Sequence, residues 1–220
     1  MISKQIENPY WELVQQFPNR EWAQKVGRFE PVPVLFGADG SVVQTRPALV
    51  RQYAWAIPNP EALAFVARHL APQAIEIGAG TGYWSWCLSQ LGIDIIAYDI
   101  CPPHLEPNDF HSPLDAETEK PTGERAPVFY DVRYGDASKA AEYPERTLLL
   151  CWPPDCPMAS EALRQYRGSK CVYIGEDEGG CTADRAFFSL LKQEWRKVDA
   201  FKLVNWAMIH DEILVYERRS

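Results

Sequence analysis

The sequence predicts an α/β fold: a doubly wound, mostly parallel seven-stranded sheet with an antiparallel C-terminal hairpin and a helical N-terminal extension. Three observations predict it. From Gln73 onward, short apolar runs alternate with helical patterns, the signature of parallel strands joined by crossover helices. A glycine-punctuated turn, Gly78-Ala-Gly-Thr-Gly82, follows the first of those runs and opens a helical pattern at once. The last two runs have no helical pattern between them, so they pair antiparallel.

Residues 1–58 are rich in aromatics and interrupted by proline, with short helical patterns at Pro9–Phe17 and Arg20–Val26. Pro31-Val-Pro-Val-Leu-Phe reads as partly extended and Asp39-Gly40 as a turn. Residues 59–220 form the main domain, beginning with a helix at Glu61–Leu70 behind Pro58-Asn-Pro. Strands follow at Ala74–Ile77, Ile93–Tyr98, Pro127–Tyr134, Thr147–Trp152, Lys170–Ile174, Lys197–Trp206 and Glu212–Arg218. Helices fall at Tyr83–Leu91, closed by Gly92, and at Ala159–Tyr166 and Ala183–Trp195. Residues 101–126 break the alternation. They hold five prolines and little apolar period, as a lid, a substrate loop or a floppy insertion does.

Composition narrows the function classes. With 46% hydrophobic and 24% charged residues the chain is of ordinary globular make-up. A formal net charge of −8 repels phosphate backbones, which disfavours nucleic acid as a partner. The six cysteines form no CxxC pair and no Cys/His cluster with zinc-ligand spacing, so no metal is expected and a reducing cytoplasm is. The first residues lack an apolar signal core, and no stretch approaches the ~20 apolar residues of a membrane span.

The glycine turn carries the chemistry. Its spacing, Glu76-x-Gly78-x-Gly80-x-Gly82, differs from the dinucleotide fingerprint, which places a third glycine at position 83, where Tyr83 stands. Glu76 would also set a negative charge beside a diphosphate. A zwitterionic ligand carrying an ammonium and a sulfonium suits that carboxylate better. Asp99 ends the second strand 21 positions after Gly78, near the ~20 expected of an acid that accepts from vicinal ribose hydroxyls. Asp136 follows the third strand, where an acid can accept from an exocyclic amine or cap a helix. All three belong at strand carboxyl ends, where open α/β sheets bind ligands.

This set resembles the class I S-adenosylmethionine-dependent methyltransferases, over roughly residues 59 to 218. The resemblance implies S-adenosylmethionine as cofactor. Gly78, Ala79, Gly80 and Gly82 would lie against its methionine and ribose parts, Asp99 would hold the ribose, and Asp136 the adenine amine. Ile100 and Ala137 would flank the adenine ring, with Cys151 also lining the site. Such a site needs Glu76, Asp99 and Asp136 at one sheet edge and open space beside Gly80.

In the same family the fourth strand end faces the transferring methyl group. Here it reads Cys151-Trp-Pro-Pro-Asp155. Nucleobase amino-methylating members resemble one another in carrying Asp or Asn before the two prolines; Trp152 stands there instead, which argues against that substrate class. Trp152 reads as an apolar or cation-binding wall, or as plain packing. Glu176, at the fifth strand end, reads as an acid that orients or deprotonates an acceptor, or as a turn acid. His111, in the proline-rich loop, is the better histidine candidate for a base. Tyr53 and Trp55 close the pocket or brace the extension, and His69 and His210 read as a helix-end charge and an exposed residue. The expected function is methyl transfer to a small metabolite or peptide. A catalytically silent cofactor-binding scaffold is the alternative, and the oligomeric state is left open.

Overall fold

The computed structural model describes residues 6–115 and 118–219. The first five residues, two positions of the proline-rich loop (116–117) and Ser220 lie outside the described residues. In chain order the elements are α1 (Pro9–Val14), α2 (Glu21–Lys25), β1 (Val34–Phe36), β2 (Val42–Thr45), α3 (Arg46–Gln52) and α4 (Pro60–Leu70). There follow β3 (Gln73–Ile77), α5 (Tyr83–Gln90), β4 (Asp94–Asp99), β5 (Val132–Tyr134), a 3-10 helix (Ala137–Glu142), β6 (Thr147–Cys151) and α6 (Met158–Gln165). The chain closes with β7 (Lys170–Gly175), α7 (Arg185–Glu194), β8 (Trp195–Lys202) and β9 (Glu212–Arg218).

The main sheet has seven strands in the order β5-β4-β3-β6-β7-β9-β8. The first five are parallel to one another, while β9 runs antiparallel to both β7 and β8. From β3 the chain moves outward through β4 and β5, then returns to place β6 on the other side of β3. That reversal is a topological switch point, which opens a crevice at the strand carboxyl ends.

Alternation along the strands divides the interior between two faces. Ala74, Ile95, Leu149 and Val172 join α4, α5 and the N-terminal aromatics in one cluster. Ile75, Ile77, Leu148 and Leu150 join α6, α7 and the 3-10 helix in the other. Both faces being covered, the central strands read as continuous apolar runs.

The N-terminal aromatics buttress the crevice. Tyr10 stacks on Tyr53 at 5.2 Å and meets Tyr83 edge-on, and both partners line the crevice. Trp206 donates its indole N–H to the Tyr10 hydroxyl at 3.1 Å. That anchor explains a departure from sequence: the eighth strand stops at Lys202 because Trp206 is withdrawn into the core. The strand expected over Pro127–Tyr134 shortens to three residues for a related reason. The Phe129 amide donates to the Thr81 carbonyl and the Tyr130 hydroxyl to that of Ile95, so this segment braces the glycine turn instead of joining the ladder.

Candidate active site

A cavity of about 1030 Å³ sits at the switch point, over the carboxyl ends of β3, β4 and β6. The glycine turn forms its floor, residues 100–101 and 107–111 one wall, and Cys151–Met158 the other. Glu76, Asp99 and Asp136 all line it, so the three carboxylates do share one sheet edge.

The turn keeps its shape through its own donors. Gly78 and Ala79 amides both donate to the Tyr98 carbonyl, at 2.8 and 3.0 Å, and the Gly82 amide donates to Ala79 at 2.8 Å. The Gly80 amide donates to Asp99 Oδ2 at 2.8 Å. A diphosphate-binding loop must instead present its N–H groups outward. These four are spent within the protein.

Glu76 is buried, 2% exposed, and accepts a short hydrogen bond from the Ser85 hydroxyl on α5. Burial pushes its carboxyl up to about 7; the Ser85 bond pulls it down, and the neighbouring Asp99 charge adds to the rise. Asp99 is half-buried. Its Oδ2 holds Gly80 and its Oδ1 accepts from the Cys101 amide at 2.8 Å, so this residue ties the glycine turn to the root of the proline-rich loop. Asp136 is exposed and caps the 3-10 helix, with Oδ1 accepting from the Ser138 amide and hydroxyl, which lower its carboxyl below the usual range. Ile100, exposed, and Ala137, buried, both line the cavity as well.

Two glycine assignments need correction. Gly82 does not line the cavity. It caps α5 at φ 71, and a Cβ there would lie 2.9 Å from Tyr130 Cβ and 2.7 Å from Val132 Cγ2. Its missing side chain admits the bracing segment, not a ligand. G82A is expected to cost about 1–3 kcal/mol from left-handed backbone strain and overpacking, read as a lower urea midpoint with unchanged m. Gly80 lines the cavity at φ 55, but the space beside it is filled. A Cβ on Gly80 would run into His111 Nε2. The expectation of open space there is overturned, because the proline-rich loop folds back and seats an imidazole on the turn. A Cβ on Gly78 would meet Met158 Cε at 2.6 Å.

His111 is 8% exposed. Its Nδ1 lies 3.1 Å from the Arg51 carbonyl, which can only accept, so the proton sits on Nδ1 and Nε2 carries the lone pair toward the cavity. Burial lowers the imidazole's proton affinity, with the Arg51 carbonyl and Asp99 opposing it in part. Arg51 latches the loop with Nη1, which donates to the Asp109 and Ser112 carbonyls at 2.5 and 3.2 Å.

On the opposite wall, Trp152 has φ 52, a strained conformation for a bulky residue. Two bonds hold it: its amide donates to the Ile174 carbonyl at 2.7 Å and its indole to Asp211 Oδ1 at 2.9 Å. Asp211 is buried, and burial raises its carboxyl to about 7 against the Trp152 bond. Trp152 stacks on Trp55 at 4.8 Å, and Phe110 meets Trp55 edge-on at 6.4 Å. Cys151 also lines the cavity, its thiol pushed up by burial and by the Glu76 and Asp211 carboxylates. It is a neutral, weakly polar wall.

Glu176 lies apart from this group. Its carboxylate accepts from the Cys181 amide at 2.8 Å and the His210 amide at 3.0 Å, and it does not line the cavity. The role expected for it, acting on an acceptor, gives way to clamping the loops after β7 and β8. His210 is exposed, and His69 Nε2 meets Asp199 at 3.0 Å in the last turn of α4. Sequence reasoning missed α3 and its latch Arg51, although Thr45-Arg-Pro47 is a capping signal: Thr45 accepts from the Ala48 amide at 3.4 Å. It also missed the role of Asp211, a turn acid before a strand, which nothing in the sequence pairs with Trp152.

Fold and site together define an open α/β domain with an acid-walled ligand cavity at the switch point of its sheet. No family model and no curated protein matches the chain. Among solved structures, the chain is similar to magnesium protoporphyrin IX methyltransferase from Synechocystis PCC 6803 with bound SAH, at 11% identity and TM-score 0.46, over 96% of this chain and 94% of that one. It is similar to 1,6-didemethyltoxoflavin-N1-methyltransferase from Burkholderia thailandensis at 16% identity and TM-score 0.45, over 73% and 78% of the two chains. A putative tRNA (m1A22) methyltransferase from Streptococcus pneumoniae aligns at 17% identity and TM-score 0.45, over 71% and 68%. The chemistry of this chain rests on its own residues. No helix among the described residues is long and apolar enough to cross a membrane.

Proposed function

We propose that this chain binds S-adenosylmethionine and transfers its methyl group by direct displacement to a small metabolite or peptide. One observation carries the reading: Glu76, Asp99 and Asp136 line a single cavity together with Gly78, Ala79 and Gly80, at the carboxyl ends of three adjacent parallel strands. The donor set fits such a cofactor. Glu76, buried with only Ser85 as hydrogen-bond partner among the described residues, lacks a cation and suits an ammonium. Asp99 keeps lone pairs for ribose hydroxyls beyond the two it spends on backbone amides. Asp136 Oδ2 remains for an exocyclic amine, and Ile100 and Ala137 offer apolar contact to a purine.

When bound, the cofactor supplies an electrophilic methyl carbon with a thioether leaving group. The protein's task is then placement and exclusion of water. Trp55, Trp152 and the loop seated by Arg51 wall the cavity, and His111 Nε2 stands as the proton acceptor. Calorimetry is expected to show saturable binding of S-adenosylmethionine and S-adenosylhomocysteine, and labelled methyl transfer into a metabolite or peptide pool is expected to follow. Absence of binding by both ligands ends the reading.

The His111 ring seated on Gly80 fills space that the cofactor needs, so it moves aside on binding. Binding without transfer would select a silent binding protein.

A further inference from the structure

Resting on the proposed cofactor site, we propose that the methyl acceptor is a planar aromatic molecule that carries a basic nitrogen and no carboxylate or phosphate. Pockets for one small ligand run to about 300–1,000 Å³, and this cavity, about 1030 Å³, has room beyond the residues assigned to cofactor. Part of what remains of the wall is aromatic: Trp152 stacked on Trp55, with Phe110 edge-on to Trp55. Such surfaces favour flat, cationic partners.

Charge points the same way. Among the described residues, six carboxylates line the cavity and no lysine or arginine does. Arg51 and Arg46 approach wall residues from outside the lining. The Arg51 guanidinium donates to loop carbonyls, and that of Arg46 lies over the Trp55 ring at 5.8 Å, outside the lining. An anionic acceptor would shed its water and meet no counter-charge in the protein's lining.

The polarity of the hydrogen bonds is a separate observation. Of the side-chain donors in the lining, Thr81 is spent on the Tyr53 carbonyl, Trp84 on Ala56, Asn108 on Cys101 and Trp152 on Asp211, while the Tyr53 hydroxyl and the Trp55 indole make no hydrogen bond among the described residues. The lining carboxylates and His111 Nε2 outnumber those two donors as acceptors. His111 Nε2, on a residue more than nine-tenths buried, has no hydrogen bond among the described residues and faces the cavity at Gly80. A protonated basic nitrogen brings donors to this excess of acceptors.

The transfer balances on such an acceptor. The nitrogen, bound protonated, first gives a proton to His111 Nε2 and on to water, and its freed lone pair forms the bond to the methyl carbon while the carbon–sulfur pair stays on sulfur, which becomes a neutral thioether. Positive charge thereby returns to nitrogen, and the methylated product leaves as the cation.

Calorimetry on the S-adenosylhomocysteine-loaded protein tests the class with two near-isosteric probes, tryptamine and indole-3-propionate. Tryptamine is expected to bind at least about tenfold tighter than the acid. The D109N/D155N double variant alters exposed acids beside Phe110 and behind Trp152. It is expected to weaken tryptamine by about three- to tenfold while S-adenosylhomocysteine stays within about twofold. Equal binding of the two probes overturns the inference, as does binding of neither to the loaded protein. If S-adenosylhomocysteine itself fails to load, the cofactor reading has failed, and the inference falls with it.

Discussion

Replacing Asp99 with alanine is expected to remove S-adenosylmethionine binding and to destabilise the protein by about 2–4 kcal/mol. Both effects come from the same carboxylate. Its two oxygens accept from the Gly80 and Cys101 amides, each at 2.8 Å. A charge-assisted hydrogen bond contributes about 1.5–3 kcal/mol, and its loss leaves backbone donors without an acceptor near a half-buried position. The glycine turn then loses one of its three hydrogen bonds to β4, and the proline-rich loop loses a bond at its root, so cavity floor and wall loosen together. D99N keeps one acceptor oxygen and is expected to fall between wild type and D99A. Urea unfolding followed by tryptophan fluorescence reads the stability, and calorimetry with S-adenosylhomocysteine reads the site. Wild-type affinity in D99A would refute the role given to this residue.

Glu76→Gln is expected to separate stability from binding, with opposite signs. Burial raises the Glu76 carboxyl to about 7 in the folded protein, against an ordinary value of 4.5. Between those two values the unfolded chain is ionised and the folded chain holds the proton. Stability contributed by Glu76 is therefore complete below the lower value, falls as pH rises through the window, and is lost above about 7. The total is on the order of 3 kcal/mol. The carboxamide of E76Q does not titrate, so at pH 8 the unliganded variant is expected to be the more stable protein. Asp211, raised to about 7 by burial, acts with the same sign, and D211N is needed to remove the remaining slope. Ligand binding runs the other way. Only the ionised carboxylate pairs with an ammonium, so wild-type affinity for S-adenosylmethionine is expected to drop below pH 7, approaching tenfold per pH unit. E76Q is expected to bind about tenfold or more weakly throughout, with that pH dependence gone. Thermal unfolding and calorimetry from about pH 5 to about pH 8 test both limbs. A wild-type affinity flat across that range would contradict the pairing of Glu76 with a cation.

Much of this was legible in the linear chain, for reasons that can be named residue by residue. Strand alternation located β3, β4, β6, β7 and β9 to within a residue or two, because burial on both faces writes itself as uninterrupted apolar runs. Gly92 marked the end of α5, and the spacing of Glu76, Gly78 and Asp99 placed those groups at neighbouring strand ends. These are local signals: the backbone conformation they need depends on the residue itself or on its immediate neighbours.

Other features were invisible because they are decided by segments far apart in sequence. Gly82 looks like its two neighbours, yet it serves the packing of Tyr130 and Val132. Glu176 looks like a strand-end acid facing ligand, yet amides from residues 181 and 210 claim it. Trp152 depends on Asp211, 59 positions away, to hold a conformation that its own side chain resists.

The sequence alone determined the order of strands and helices and the carboxylate-and-glycine edge, since burial periodicity and backbone stereochemistry act within a few residues. Only the tertiary structure decided which groups face the cavity. Loop 101–126 laid His111 across Gly80, and the return of β9 brought Asp211 beneath Trp152. Those placements depend on which partner satisfies each buried polar group, and that is settled when the chain is packed.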